Sequence, residues 1–389
     1  MSSTTINNKL QASALLHGGD VETASDVFGI PVGDWIDLST GISPFAYPNT
    51  QISPAALTGM PYQTKSFERA SRKYYALANN AEVPALAACN GSQQVISMLP
   101  QVLAQLPVLL PNIGYAEHTE AWRQAGAEIN VYNALDAQQA IDEIELQLSN
   151  NNACHVVVIN PNNPSGITFS AERLLGWARR LQGNAKLIID EAFIDVAPEQ
   201  SVLNGYYHAN MVVLRSFGKF FGLPGLRLGF VFATDDIGKR IKSNIGLWDI
   251  NGPAQEIAVG AFDDVVWQRK TREALHDAAA FNEALWQPLL QHIASQGHPY
   301  AAQQCTLFSS YYLPLSLAQT WYAYFASHGV LLRLIKAHDS QAFIRVGLID
   351  PKSAHQVAHI NYVINQSIQA SVFKRGENAS DMQSERKYG

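Results

Sequence analysis

Short apolar runs that alternate with helix-like stretches constrain this chain more than any other feature. They fall at residues 107–110, 155–159, 187–189, 211–214 and 228–233, several of them rich in β-branched residues. Helical stretches lie between several of them, such as 170–181, where Ser170 is a candidate N-cap. Strands apolar on both faces and separated by helices predict an α/β fold built on a largely parallel sheet, covered on both sides. Residues 92–105 read as a further helix, opened by Gly91-Ser92 and kinked or shortened by Pro100. Beyond about Pro253 the pattern changes to a long helical region reaching roughly Gln296. Three strand-like runs follow, around 307–313, 330–334 and 343–347, then a helix over 353–368. The expected organisation is an N-terminal arm (1–45) packing partly with the small domain and a large domain (46–252). A smaller α+β domain (253–373) and a polar tail (374–389) complete it.

With 389 residues, one large and one smaller domain is the expected division. A formal charge of −6 without a Lys/Arg block gives no footprint for nucleic acid. Cys89, Cys154 and Cys305 lie far apart without a C-x-x-C, as in a reducing cytoplasm. No signal-type segment opens the sequence and no 18 apolar residues run together, so a cytoplasmic protein is expected, with no membrane partner.

Ligands of α/β proteins bind at the carboxyl ends of the strands, and four segments there carry unusual polar residues. Asp190 ends the run Lys186-Leu-Ile-Ile-Asp190. A carboxylate at that place is costly to bury without a donor or cation, although a helix cap or surface acid reads as well from this segment alone. Lys219 lies among Phe217, Phe220, Phe221 and Leu223, where desolvation favours the neutral amine that imine formation requires. Ser216 and Arg227 bracket it with a hydroxyl and a fixed cation suited to a phosphate. A glycine-rich surface loop would explain the lysine but not that grouping. Asn90-Gly91-Ser92-Gln93 precedes a helix, an arrangement that binds an anion or merely caps. Asn160-Pro-Asn-Asn163-Pro-Ser-Gly166 is rigid enough to aim Asn163 at a ligand.

The segments NPNNPSG, IIDEAF and RSFGKFFGLPGLRLGF, in that order and spacing, resemble the signature of class I/II aminotransferases of pyridoxal 5′-phosphate (PLP) fold type I. The resemblance implies a mostly parallel seven-stranded sheet in the large domain and PLP held as an imine on Lys219. It implies Asp190 at the pyridine nitrogen, Asn163 at the 3′-oxygen and Tyr115 stacked on the ring. Ser92, Gln93, Ser216 and Arg227 would hold the phosphate. Tyr62 resembles the tyrosine that reaches a neighbouring subunit's phosphate, implying a homodimer. Phe193 stands where many relatives carry a tyrosine near the 3′-oxygen.

His17-Gly-Gly-Asp20 and Trp35-Ile-Asp-Leu-Ser-Thr-Gly-Ile-Ser-Pro44 are similar to the opening of threonine-phosphate decarboxylases of cobalamin biosynthesis, in the branch linked to the aerobic pathway. Asp20 stands where many relatives have Asn. By this resemblance the substrate is a phosphorylated amino acid, L-threonine O-3-phosphate, and the product (R)-1-amino-2-propanol O-2-phosphate. Arg345 would grip the carboxylate, with Arg333 and His17 as further substrate contacts. Either arginine also reads as a structural ion-pair residue. No metal is expected. A histidinol-phosphate-type aminotransferase and a non-catalytic PLP-fold pathway protein are the alternatives.

Overall fold

The computed structural model describes residues 17–150 and 152–373. Its described residues form two units. The larger comprises 41–279 with 304–308, and the smaller comprises 17–40, 280–303 and 309–373. The terminal portions of the expected arm and tail, 1–16 and 374–389, lie outside the described residues.

The larger unit is organised by seven strands: β2 (Ala85–Cys89), β3 (Val108–Pro111), β4 (Ile129–Tyr132), β5 (His155–Ile159), β6 (Leu187–Asp190), β7 (Met211–Ser216) and β8 (Gly229–Ala233), after a short β1 (Ile36–Asp37) in the smaller unit. Their order in the sheet is β2-β8-β7-β6-β5-β3-β4. Every residue of β3, β5, β6 and β8 is buried, as expected for strands covered on both faces. Neighbours from β7 to β4 pair in parallel, whereas β8 runs antiparallel to both β7 and β2. Apolar content alone does not distinguish that reversal. The alanine-rich β2 and the edge strand β4, in which only Tyr132 is buried, carry too weak a pattern to be read from sequence.

The helix Ala171–Arg180 begins as expected, with the Ser170 side chain accepting from Arg173 N–H at 3.3 Å. It buries Ala171, Leu174, Trp177 and Ala178, one helical face. The helix Ser92–Val102 stops three residues short of its expected end, with Pro100 in its last turn.

The expected division at 252/253 is corrected to 279/280, inside the helix Val265–Ser295. The helix Gly252–Asp263 belongs to the larger unit. Buried Gln255 accepts from Thr64 N–H at 3.0 Å and donates to the Pro61 carbonyl at 3.3 Å. A Cβ on Gly252 would lie 2.2 Å from the Ala56 carbonyl, so only glycine permits that approach. A change in periodicity marks a change of element type, not the partner on which an element packs.

The smaller unit contains β9 (Ala301–Cys305), β10 (Phe308–Pro314), β11 (Val330–Leu331), β12 (Arg333–His338) and β13 (Gln341–Gly347), apart from the portion of β9 and β10 within 304–308. The sheet order is β12-β13-β10-β9, and β11 leaves it to pair in parallel with β1. The single run expected over 330–334 is thus split between two sheets. Trp286, Leu289, Tyr311, Trp321, Phe325 and Ile344 fill the core, and the Tyr311 and Trp321 rings stack at 5.4 Å.

Burial pushes the phenols of Tyr311 and Tyr322 up to about 12, against about 10 in an unfolded chain. Ionisation is therefore disfavoured only in the native state. This contribution to stability is complete below about pH 10 and is lost as pH rises toward 12. The urea midpoint followed by tryptophan fluorescence should fall between about pH 10 and 12, and the double variant Tyr311→Phe/Tyr322→Phe should flatten the fall. A variant profile as steep as the parent's would contradict the assignment.

Candidate active site

Strands β2, β3, β5, β6 and β7 run the same way, so their carboxyl ends share one edge of the sheet. The reversed β8 starts at that edge, where Gly229 pairs with Cys89 on one side and Ser216 on the other. Asn90–Ser92, Tyr115, Asn163, Asp190, Ser216, Lys219 and Arg227 all lie at or just beyond it.

Asp190 ends β6 between Ile159 and Leu214 and is 3% exposed. Its Oδ1 accepts from Ala192 N–H at 3.0 Å, and its Oδ2 lies 3.0 Å from His118 Nε2. An ionised carboxylate offers about four lone-pair sites, so these contacts leave acceptor capacity for a protonated ring nitrogen. His118 is itself buried, on the helix Ala116–Gln124, and its Nδ1 has no partner. Sequence reasoning missed it. The available signal was its spacing three residues after Tyr115, which places both on one side of the helix start, with ring centroids 6.4 Å apart.

Lys219 lies on the short helix Phe217–Phe220, directly after β7, with Phe217, Phe220 and Phe221 buried around it. Its carbonyl accepts from Ser43 N–H at 2.9 Å, which ties down the backbone that presents the amine. Its Nζ lies 5.7 Å from the centre of the Phe193 ring. Phe193 packs edge-on against Phe308, and a Cβ on Gly41 would come within 2.9 Å of its ring. Phe193 therefore presents an aromatic surface, and no hydroxyl, toward the lysine.

The helix Ser92–Val102 starts at Gly91, which holds φ at 78°. A Cβ there would lie 2.6 Å from Arg227 Nη2, and one on Gly229 would lie 2.4 Å from Ser92 N. The two glycines thus open the space in which the guanidinium, the helix start and the Ser216 strand end converge. Arg227 adopts φ 52°, a left-handed conformation that costs a non-glycine residue about 1 kcal/mol. Helix amides, hydroxyls and a fixed guanidinium suit the dianionic phosphate of PLP, so the residues present fit that cofactor.

Gln93 enters differently from expectation. Its side chain accepts from the Tyr115 hydroxyl at 2.8 Å and donates to Glu117 Oε2 at 2.6 Å. It orients the Tyr115 ring, so its contribution to a phosphate would be through the backbone at the first helical turn. Burial, with Glu117 and Asp190 adding to it, pushes the Tyr115 phenol up to about 12, which keeps it a donor to Gln93.

The Asn163 loop is braced by its neighbours. Asn160 exchanges hydrogen bonds with the Phe169 backbone at 3.1 and 2.8 Å, and Asn162 donates to the Ile113 carbonyl at 3.0 Å. Both Asn-Pro bonds of the loop, Asn160-Pro161 and Asn163-Pro164, are cis. Tyr62 is 61% exposed and lies edge-on to the half-exposed Trp248.

In the smaller unit Arg333 and Arg345 are direct partners across antiparallel β12 and β13, so they emerge from one face. Burial lowers the Arg333 guanidinium from its ordinary range, against an opposing effect of Tyr322. Arg345 donates to the Ser39 carbonyl. The Ser39 hydroxyl donates to Asp37 and accepts from Gly19 N–H at 2.7 Å. Gly18 lies so close that a Cβ would be 2.3 Å from the Ser39 carbonyl. The His-Gly-Gly and Asp-Leu-Ser motifs are therefore one packed knot, with His17 at its exposed end. Asp20 caps the helix Val21–Phe28 by accepting from Thr23 N–H at 3.1 Å, a role Asn would fill equally. Among the described residues no cluster of three or more His, Cys, Asp or Glu side chains is arranged to hold a metal.

The profile of the aminotransferase class I and II family matches residues 35–360. The chain belongs to that family. It is 35% identical over 320 residues to the threonine-phosphate decarboxylase of Pseudomonas aeruginosa, covering 78% of this chain and 92% of that one. The enzyme of the same name from Salmonella typhimurium is 32% identical over 292 residues, 70% and 78% of the two chains. Among solved structures, a histidinol-phosphate aminotransferase from Sinorhizobium meliloti in complex with pyridoxal 5′-phosphate superposes with a TM-score of 0.69. It is 17% identical, with 93% and 97% coverage, and supports the fold.

Gly91→Ala is expected to displace Arg227 and weaken PLP binding about tenfold or more, with a stability loss of about 1–3 kcal/mol. Fluorescence titration with PLP and thermal melting measure the two. Unchanged affinity would contradict the cradle.

Proposed function

We propose that this chain decarboxylates L-threonine O-3-phosphate to (R)-1-amino-2-propanol O-2-phosphate for cobalamin biosynthesis, using PLP held by Lys219. The observation that carries this reading is the cross-strand pair Arg333 and Arg345. The two guanidiniums share one face of the sheet, and a substrate bearing both a carboxylate and a phosphate offers an anion to each. The decarboxylase relatives support the same substrate.

Arg345 takes the substrate carboxylate, while Arg333 and His17 take its phosphate. When bound, PLP supplies an electron sink for the pair left on the α-carbon. Asp190 would hold the proton on the pyridine nitrogen, and Asn163 would donate to the 3′-oxygen. Ser92, Ser216 and Arg227 would hold the phosphate, and Tyr115 would lie against the ring. By gripping both anions the arginines would favour loss of the carboxylate over loss of the α-proton. Carbon dioxide would leave, and Lys219, once its amine is free and protonated from solvent, would deliver the proton that replaces the carboxylate on the α-carbon.

The holoprotein supplied with threonine phosphate should release one CO₂ per phosphorylated amine formed, and Lys219→Ala should abolish turnover. Amino transfer to 2-oxoglutarate without CO₂ would replace this reading with the histidinol-phosphate type. Binding without turnover would replace it with a non-catalytic protein. Arg333→Gln should raise KM for threonine phosphate about 10- to 100-fold, the loss of one charge-assisted contact. An unchanged KM would remove Arg333 from the substrate site.

We further propose a cytoplasmic homodimer in which Tyr62 reaches the phosphate of the second subunit. Leu57, Met60, Tyr62, Leu247 and Trp248 are at least half exposed, and Tyr62 and Trp248 lie edge-on to each other, apolar surface of the kind that marks an interface when contiguous. No helix among the described residues is long and apolar enough to cross a membrane. Light scattering should give about twice the 42.7 kDa chain mass, and Tyr62→Phe should weaken PLP binding in the dimer. A monomer with full PLP affinity would overturn the assignment.

A further inference from the structure

Behind the strand ends that carry Asp190 and Lys219 lies a buried charge cluster with no part in the chemistry above. Arg215 is 2% exposed, Glu191 and Asp195 are 0%. Arg215 Nη1 lies 3.3 Å from Glu191 Oε2 and donates to Ser201 Oγ at 3.0 Å, while Nη2 binds Asp195 Oδ1. Glu191 also accepts from Ser201 Oγ–H at 2.5 Å and from Val202 N–H at 2.9 Å. Asp195 accepts from the Tyr74 hydroxyl at 3.1 Å, and the Arg215 guanidinium lies 4.9 Å from the Tyr75 ring centre. A second arginine, Arg272, donates from Nε to the Asp195 carbonyl at 3.0 Å and covers the Phe220 ring at 4.9 Å.

The sequence positions of these groups are what give them meaning. Glu191 follows Asp190, Arg215 precedes Ser216, and Phe220 follows Lys219. Strand residues alternate between faces, and Asp190 pairs with Leu214. Asp190, Leu214 and Ser216 therefore share one face, and Glu191 and Arg215 the other. The Glu191 N–H bond to the Leu214 carbonyl, 2.9 Å, continues the ladder to this level. The ion pairs thus fasten the ends of β6 and β7 to each other on the side away from the cofactor residues, and Arg272 extends the fastening to the lysine's own short helix. Stability is a poor explanation for the cluster, since well-packed apolar residues of similar volume generally replace a buried ion pair without loss. It also leaves Arg215 Nε and Asp195 Oδ2 without partners.

We propose that Arg215, Glu191 and Asp195 are positioning residues that set the separation between the Asp190 carboxylate and the Lys219 amine. The inference rests on PLP being held by Lys219. A forked, two-carboxylate grip fixes direction as well as distance, which an apolar contact does not. An error of about 1 Å in such spacing lowers catalytic rates about 100-fold.

The test compares wild-type holoprotein with Arg215→Lys and with the apolar triple variant Glu191→Met/Asp195→Leu/Arg215→Met. Thermal melting, kcat and KM for threonine phosphate and the pH titration of the visible cofactor band are measured on each. The triple variant is expected to melt near the wild-type temperature and retain PLP. Its kcat should fall about tenfold or more at nearly constant KM, with a shifted band titration. Arg215→Lys should show the same signature in smaller degree, and it decides the matter if the triple variant does not fold. Wild-type kcat and titration in the triple variant, or in Arg215→Lys where that variant decides, would reduce the cluster to a structural role and overturn the proposal. A wild-type protein that develops no visible band with PLP would overturn the cofactor reading, and this proposal with it.

Discussion

Asp190 closes an apolar strand with a carboxylate that is 3% exposed. Removing an ionised carboxylate from water costs several kcal/mol unless donors replace the lost hydration, and the larger unit is built to provide them. The Ala192 amide and His118 meet it directly. The parallel order of β5, β6 and β7 brings the Asn163 loop on one side and the Lys219 helix on the other to the same level. An acid fixed at this depth, one strand away from a short helix that carries a lysine among phenylalanines, is suited to a protonated ring nitrogen. The glycines at 91 and 229 then matter because they admit the Arg227 guanidinium and the Ser92 amide to one small space beside the strand ends.

Much of this was legible from residue order. The runs that became β5, β6 and β7 are apolar on both faces and end in polar loops, the pattern of a covered parallel sheet. Ser170 capped its helix as its chemistry requires. What escaped depends on packing partners that local pattern does not encode. The reversal of β8 preserves an all-apolar strand, so periodicity does not register it. The helix Gly252–Asp263 has the composition of either unit, and only Gln255 binding Thr64 and Pro61 assigns it. Gln93 stood in the expected place, but its amide is turned to Tyr115 and Glu117. His118 was missed because its spacing from Tyr115 gains meaning only once Asp190 is seen 3.0 Å away.

The smaller unit shows a different economy. Ser39 is bound through its hydroxyl to Asp37 and Gly19, and through its carbonyl to Arg345. Two motifs separated by about twenty residues thus serve as a brace for one arginine. A guanidinium held in this way is pre-organised for a planar anion, and its partner across the ladder, Arg333, gives the same face a second positive charge. The short His-Gly-Gly and Asp-Leu-Ser stretches are specific because the glycine at 18 admits no side chain against Ser39.

The proposed chemistry requires the cofactor to be joined to Lys219 and to no other amine. Borohydride reduction of the PLP-loaded protein, followed by peptide mass spectrometry, addresses that point without relying on turnover. A single pyridoxyl adduct on the peptide containing Lys219 is the predicted result. An adduct confined to another lysine, or no adduct in protein that retains PLP, would contradict it.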